Sequence, residues 1–180
     1  LLEALLLLPL LLPPTVVGLA LLVGLGPESP LGRAIEALTG ARLVFSFAGI
    51  LVASVLVNLP LAVQPAQRAF EAVGDDMRAA AASCGLSPLA AFRRVELPLA
   101  WPGLATGAVL AFAHTLGEFG VVLMVGGAIP GETATLSLAI YDRVQAFDMA
   151  GASRLAALLT LTSLLAISLL FLLGRGARRG

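Results

Sequence analysis

Four uncharged, apolar stretches constrain this chain more than any other feature of its sequence: Ala4–Pro27, Leu43–Gln67, Leu97–Gly117 and Leu155–Gly174. A helix rising 1.5 Å per residue crosses the roughly 30 Å of bilayer hydrocarbon in about 20 apolar residues. Each stretch is therefore read as a span, with limits near 4–26, 43–64, 98–117 and 152–173. A shorter uncharged run, Phe119–Gly131, is irregular or re-entrant. Pro9, Pro13 and Pro14 in the first stretch, and Pro60 and Pro65 late in the second, would break or kink a lone helix. In lipid the freed carbonyls must find partners inside protein. The fold class expected is all-α, a polytopic membrane bundle of kinked helices in one domain, 1–180.

Composition narrows the functions open to such a chain. Hydrophobic residues make up 59% and charged ones 12%, and 11 arginines offset 11 acids, so there is no basic field to draw nucleic acid. One cysteine and one histidine exclude an internal disulfide and a Cys/His metal cluster. The sequence has no phosphate-cradling G-x-x-x-x-G-K-[ST], no nucleophile elbow and no paired His–Glu metal motif, so no catalytic residue is assigned. Leu1 is not methionine and stands inside an apolar run, which we read as a true start further upstream. The stretch from Leu1 to Leu25 lacks the basic n-region of a secretory signal.

Arginine placement orients the spans, because positive loops stay in the cytoplasm. Arg68, Arg78, Arg93, Arg94, Arg175, Arg178 and Arg179 fall on one side; Arg33, Arg42, Arg143 and Arg154 fall on the other. The Gln64–Glu96 segment and the C-terminus are thus expected to be cytoplasmic.

Residues 66–97 form a polar island too long for a turn. Apolar residues at Ala66, Ala69, Phe70, Val73, Met77, Ala80, Ala81 and Cys84 follow the stripe of an amphipathic helix. Arg68–Glu71 and Asp75–Arg78 have the spacing of ion pairs on its other face. Gly85 stands where a left-handed cap would end that helix. Ser87-Pro88 reads as the N-cap and first residue of a short helix, Leu89–Val95, which Leu97-Pro98 separates from the next span. The hairpin suits either a lipid surface or a protein partner; its polar face is mixed in sign, unlike that of a lysine-rich membrane binder.

Ala79-Ala80-Ala81-Ala82-Ser83-Cys84-Gly85, followed nine residues later by Val95-Glu96-Leu97-Pro98, resembles the cytoplasmic loop of ABC importer permeases, written E-A-A, three residues, G, nine residues, I, one residue, L-P. Ala79 stands where the family often has glutamate, so that carboxylate's contact is absent or supplied by another residue. The resemblance implies a coupling hairpin seated in a cleft of a separate ATP-binding subunit, touching it through Ala79, Ala80, Ala81, Gly85, Leu86, Ser87, Pro88, Phe92 and Arg93. Nearly the whole chain carries the likeness. Leu8-Pro9-Leu10 through Pro13-Pro14-Thr15-Val16-Val17-Gly18, Leu97 through Gly103, Leu116-Gly117-Glu118-Phe119-Gly120 and Ile129-Pro130-Gly131-Glu132-Thr133 together are similar to the molybdate-type permease subunit. Gly-Glu-Phe-Gly is shared with sulfate-type permeases, so molybdate, tungstate and sulfate or thiosulfate all stay open as cargo.

That resemblance implies the fold of a type I ABC importer permease, with about one further span before Leu1. It also implies a homodimer in a prokaryotic inner membrane, two ATPase subunits that use ATP and Mg, and an extracytoplasmic oxyanion-binding protein. No cofactor is expected on this chain itself.

A tetrahedral dianion needs hydrogen-bond donors and is repelled by carboxylate, so Glu118 is a poor ligand and instead a candidate for gating or helix positioning. His114 lies one turn earlier and could share a hydrogen bond with it. Thr15, Asn58, Thr115, Gly117, Glu118 and Gly120 are the gate or pathway candidates; Ser46, Ser54 and Thr106 are polar neighbours that could equally bond helix to helix. Residues 128–149 should contain a short outer helix, which could meet an external partner or lie on the membrane. An intramembrane enzyme built on His114 and Glu118, or a structural membrane protein, are the rival readings.

Overall fold

The computed structural model describes residues 2–176, with side chains described for residues 3–168. The regular elements there are all helical: α1 Leu2–Leu11, α2 Pro14–Leu25, α3 Pro30–Thr39, α4 Phe47–Glu71, α5 Asp75–Ser83, α6 Pro88–Ala91, a π turn Phe92–Glu96, α7 Leu97–Gly117, α8 Gly120–Gly126, α9 Leu136–Gln145 and α10 Met149–Gly176. They fall into two compact units, Leu1–Asn58 with His114–Ala166, and Leu59–Ala113 with Ile167–Gly180. Arg178 and Arg179, on which the orientation reading partly leaned, lie outside the described residues, as does the Arg175 side chain.

Three helical stretches are long and apolar enough to cross a membrane: Phe47–Glu71, Pro88–Gly117 and Met149–Ser168. The first stretch, read from sequence as one span over 4–26, is instead two helices that meet at 113°. The cause is local. Pro14 has no N–H to give, and Pro13 before it is held extended at φ −55°, ψ 137°, so α1 stops and α2 starts afresh. Pro60 and Pro65, by contrast, do not end α4, which runs through both to Glu71. Nor does Leu97-Pro98 end the helix before it. Leu97 N–H reaches back five residues to Phe92 O, and the widened π turn takes up the proline ring that would otherwise collide with the carbonyl four residues earlier.

In the first unit the short helix α8 is the core. Its Val121, Val122 and Val125 are buried, packed with Val17 of α2 and with Ile50, Ala53 and Val57 of α4; Leu138 of α9 completes the set. α2 and α8 approach closely because Gly18 has no side chain: a Cβ there would sit 2.8 Å from Met124 Cβ and 3.1 Å from Val121 Cα. The segment between α2 and α4 was read from sequence only as a loop, yet it contains α3. Ser29 caps it by accepting from Gly32 N–H at 2.8 Å, and Gly40 closes it at φ +71°.

In the second unit α4 and α7 cross through small residues. Gly107 is buried, and a Cβ on it would lie 2.6 Å from Ala62 O; one on Gly103 would collide with Ala69 Cβ and Pro65 O. The helix read over 66–84 as one amphipathic piece is divided at Ala72–Gly74, because Gly74 takes an extended conformation, φ −59°, ψ 157°, and starts α5 anew. Glu71 accordingly accepts from Gln67 Nε2 at 2.8 Å, where Arg68 had been expected, while Arg78 does pair with Asp75 at 3.1 Å.

Two predictions follow from this packing. Gly107→Ala forces backbone against backbone and should lower stability by about 1–3 kcal/mol, whereas Gly117→Ala, which meets nothing within 4 Å, should cost much less. Equal thermal midpoints for both variants in detergent would refute the close-contact account. At the start of α10, Asp148 accepts from Gly151 N–H (2.8 Å) and from Arg143 Nη1 (2.8 Å), and the backbone bond first, then the guanidinium, holds its carboxyl below the usual range. The native state thus favours the ionised form. Its contribution is present above about pH 4, the unfolded carboxyl's range, and is lost as pH falls through the lower folded value. Asp148→Asn should therefore flatten the acid limb of a stability profile; an unchanged limb would count against the cap.

Candidate functional site

Two groups of predicted residues come together, one in each unit. On the α5–α6 hairpin, α5 ends in a Schellman turn: Gly85 N–H bonds Ala82 O (2.9 Å), Leu86 N–H bonds Ala81 O (3.2 Å), and Gly85 sits at φ +76°. Glycine takes this left-handed conformation without the Cβ clash that other residues meet. Ser87 then caps α6, accepting from Ala90 N–H at 3.4 Å ahead of Pro88. Ala79, Ala80, Gly85, Ser87, Pro88, Phe92 and Arg93 are exposed; Leu86 is half-buried and Ala81 faces inward. Met77 and Leu89, which were not singled out from sequence as contacts, add exposed apolar side chains at 48% and 66%. The hairpin thus presents an exposed apolar tip between two helix ends whose backbone groups are capped.

The second group gathers where α7 passes into α8. Glu118 is buried, and its Oε1 accepts from Val121 N–H at 3.1 Å, satisfying a first-turn donor of α8. Its backbone joins the same junction: Glu118 N–H bonds Thr115 O at 3.3 Å, and Ser137 Oγ of α9 donates to Glu118 O at 2.9 Å. Asn58 Nδ2 bridges Ser54 O (2.7 Å) and Thr115 Oγ1 (3.0 Å), while Asn58 Oδ1 is buried without a partner. Gly120 packs on the start of α2, where a Cβ would lie 2.8 Å from Pro14 Cβ and 3.5 Å from Thr15 N. Thr15 itself is exposed, as is Gly117. His114 does not share the hydrogen bond its spacing allowed, since Nδ1 stands 3.8 Å from Glu118 Oε2.

Two of the polar neighbours are accounted for by local bonds. Ser46 caps α4, donating to Leu43 O (2.6 Å) and accepting from Gly49 N–H (3.1 Å), and Thr106 donates to Pro102 O (2.7 Å). Sequence reasoning passed over Thr133 as a site residue, although it ends the Ile-Pro-Gly-Glu-Thr run. It is buried and ties off α8, donating to Gly126 O (2.6 Å) and accepting from Ile129 N–H (2.8 Å). Among the described residues no group of three or more His, Cys, Asp or Glu side chains could hold a metal ion.

If Glu118 acts as a cap, Glu118→Ala should lower the thermal midpoint by an amount equivalent to about 1 kcal/mol, and Glu118→Gln, which keeps an acceptor, should stay close to wild type. Matching losses in the two variants would assign the effect to the charge instead.

The family described as binding-protein-dependent transport system inner membrane component matches residues 1–179. The molybdenum transport system permease protein ModB of Azotobacter vinelandii is 48% identical over 164 residues, covering 91% of this chain and 73% of that protein. ModB of Mycobacterium tuberculosis is 42% identical over 178 residues, which cover 98% of this chain and 64% of the relative. A probable sulfate transport system permease protein, cysT of Chlorella vulgaris, is 34% identical over 163 residues, 91% of this chain and 61% of that protein. The chain thus spans between 61% and 73% of the length of these relatives.

Proposed function

The chain belongs to the family of binding-protein-dependent transport system inner membrane components, a multi-pass membrane permease, and from that premise we propose that it is the membrane subunit of an ATP-driven importer of molybdate. The observation that carries the choice of cargo is the 48% identity to a molybdenum permease, against 34% to a sulfate permease. Sulfate is the second reading, carried by the 34% identity to a probable sulfate transport system permease.

In this reading the permease is non-catalytic and binds no cofactor; ATP and Mg act on a separate ATPase subunit. Two copies of the chain form the path at their two-fold axis, and an extracytoplasmic binding protein delivers the anion. The exposed tip of the α5–α6 hairpin, with Ala79, Ala80, Ser87, Pro88 and Phe92, seats in the ATPase cleft. The arginine bias supports a cytoplasmic hairpin. The C-terminus follows it to the same side, because two crossing helices, α7 and α10, lie between them and the seven residues of α8 span only about 10 Å. ATP binding closes the ATPases and swings the hairpins together, giving alternating access.

The buried Glu118 carboxylate, bonded to Val121 N–H, holds α8 in place and keeps no charge on an open surface, so it does not repel an anion along the path.

The test is uptake of labelled molybdate into liposomes that hold the permease with its ATPase and binding protein, with ATP inside. Uptake that requires ATP and survives excess sulfate is expected; loss to sulfate would move the cargo to the second reading, and uptake without nucleotide would refute the importer. Gly85→Val places a β-branched residue at φ +76°, a strain of about 1–3 kcal/mol, and should reduce uptake by roughly tenfold while ATP hydrolysis continues. Undiminished uptake in that variant would remove the hairpin from the mechanism.

A further inference from the structure

Arg78 joins three elements of the second unit, α4, α5 and the π turn. Its Nη2 donates to the Phe70 carbonyl in the last turn of α4 (3.0 Å), its Nε to Glu96 Oε2 at the end of the π turn (3.3 Å), and its Nη1 to Asp75 Oδ1 on α5 (3.1 Å). Exposure separates the three. The Asp75 side chain is 98% exposed, so its pair is screened by water, whereas the Glu96 side chain is 21% exposed. Phe70 O is one of the last carbonyls of α4 and also accepts from Val73 N–H at 3.2 Å, so it ties the end of the helix to both the Ala72–Gly74 connection and Arg78. A planar guanidinium presents its donors in fixed directions, so it can hold three acceptors in one geometry, which a lysine ammonium at the end of a flexible stem does not do. α4 and the π turn are joined as well by the stacked rings of Phe70 and Phe92, 5.9 Å apart and 13° from parallel.

The connections that Arg78 bridges are two places where regular α-helix is interrupted: α4 meets α5 through Ala72–Gly74, and α6 meets α7 through a π turn. We propose that Arg78 is a positioning residue that braces the α5–α6 hairpin to the end of α4 and the foot of α7, so that a push on the hairpin reaches both helices instead of being absorbed in those two joints. The function of the brace rests on the coupling role proposed above; its existence does not.

Cys84 provides a probe, since it is the only cysteine in the sequence and is exposed near the hairpin's tip. A nitroxide on Cys84 of the purified permease, without ATPase, should gain mobility by roughly twofold in Arg78→Ala, with a smaller gain in Arg78→Lys. In the reconstituted complex the number of ATP molecules hydrolysed per molybdate transported should rise by roughly threefold or more in Arg78→Ala. Arg78→Lys, which keeps the charge but not the fork, should fall between. Unchanged label mobility would overturn the brace, and a freed label with an unchanged ATP-to-molybdate ratio would overturn its role in transmission. Absence of ATP-driven uptake in the wild-type complex would refute the coupling reading instead, while the label on the isolated permease still decides the brace. Should Arg78→Ala fail to fold, Arg78→Lys and Glu96→Gln are read by the same two measurements.

Discussion

The structure depends on one constraint: an apolar chain cannot leave backbone N–H and C=O groups unpaired where water is excluded. Long helices meet it internally. The breaks are where it must be met by something else, and this chain has several. α8 is the clearest case. It is only seven residues long and its end residues Gly120 and Gly126 are buried in the core of its unit. Glu118 accepts at its N-terminus, and Thr133 and the Phe45 N–H, which bonds Val125 O at 2.7 Å, satisfy its C-terminus. A carboxylate in an apolar core is costly in isolation; as the cap of a helix whose dipole favours negative charge, it is stabilised.

The same accounting links the junction to the surrounding elements. Glu118 contributes its side chain to α8, its N–H to Thr115 of α7, and its carbonyl to Ser137 of α9. A residue with ties to three elements cannot move without disturbing all three. In the second unit, close glycine contacts between α4 and α7 give a similarly stiff support, from which the hairpin projects an exposed, nearly side-chain-free alanine surface.

Much of this was legible in the residues because it depends on neighbours a few positions away. The helix end at Gly85, the cap at Ser87, the Asp75–Arg78 pair and the apolar lengths of the long helices all follow from spacing and propensity. The division of the hairpin helix at Gly74 was not, although glycine before two aspartates is a start signal; the apolar stripe from Ala66 to Cys84 runs across the break and conceals it. α3 was missed for the opposite reason. Its Ser29-Pro30 start and Gly40 end are strong signals, but they lie between long apolar runs that drew the reading toward spans and loops.

What the sequence determined by itself is therefore the class of the protein: helices of membrane length, and the spaced glycine and proline signature of the hairpin. Only the tertiary structure decided which prolines break a helix. Pro13-Pro14 does, with a turn of 113°, whereas α4 runs through Pro60 and Pro65 and a π turn carries the chain past Pro98. It also decided that Glu118 faces Val121 N–H and not an open path, and that Arg78 spans from α4 to the π turn. The reason is that a proline's cost, like a buried charge's, depends on whether distant parts of the chain supply the missing partner. That information is carried by packing, not by local order along the chain.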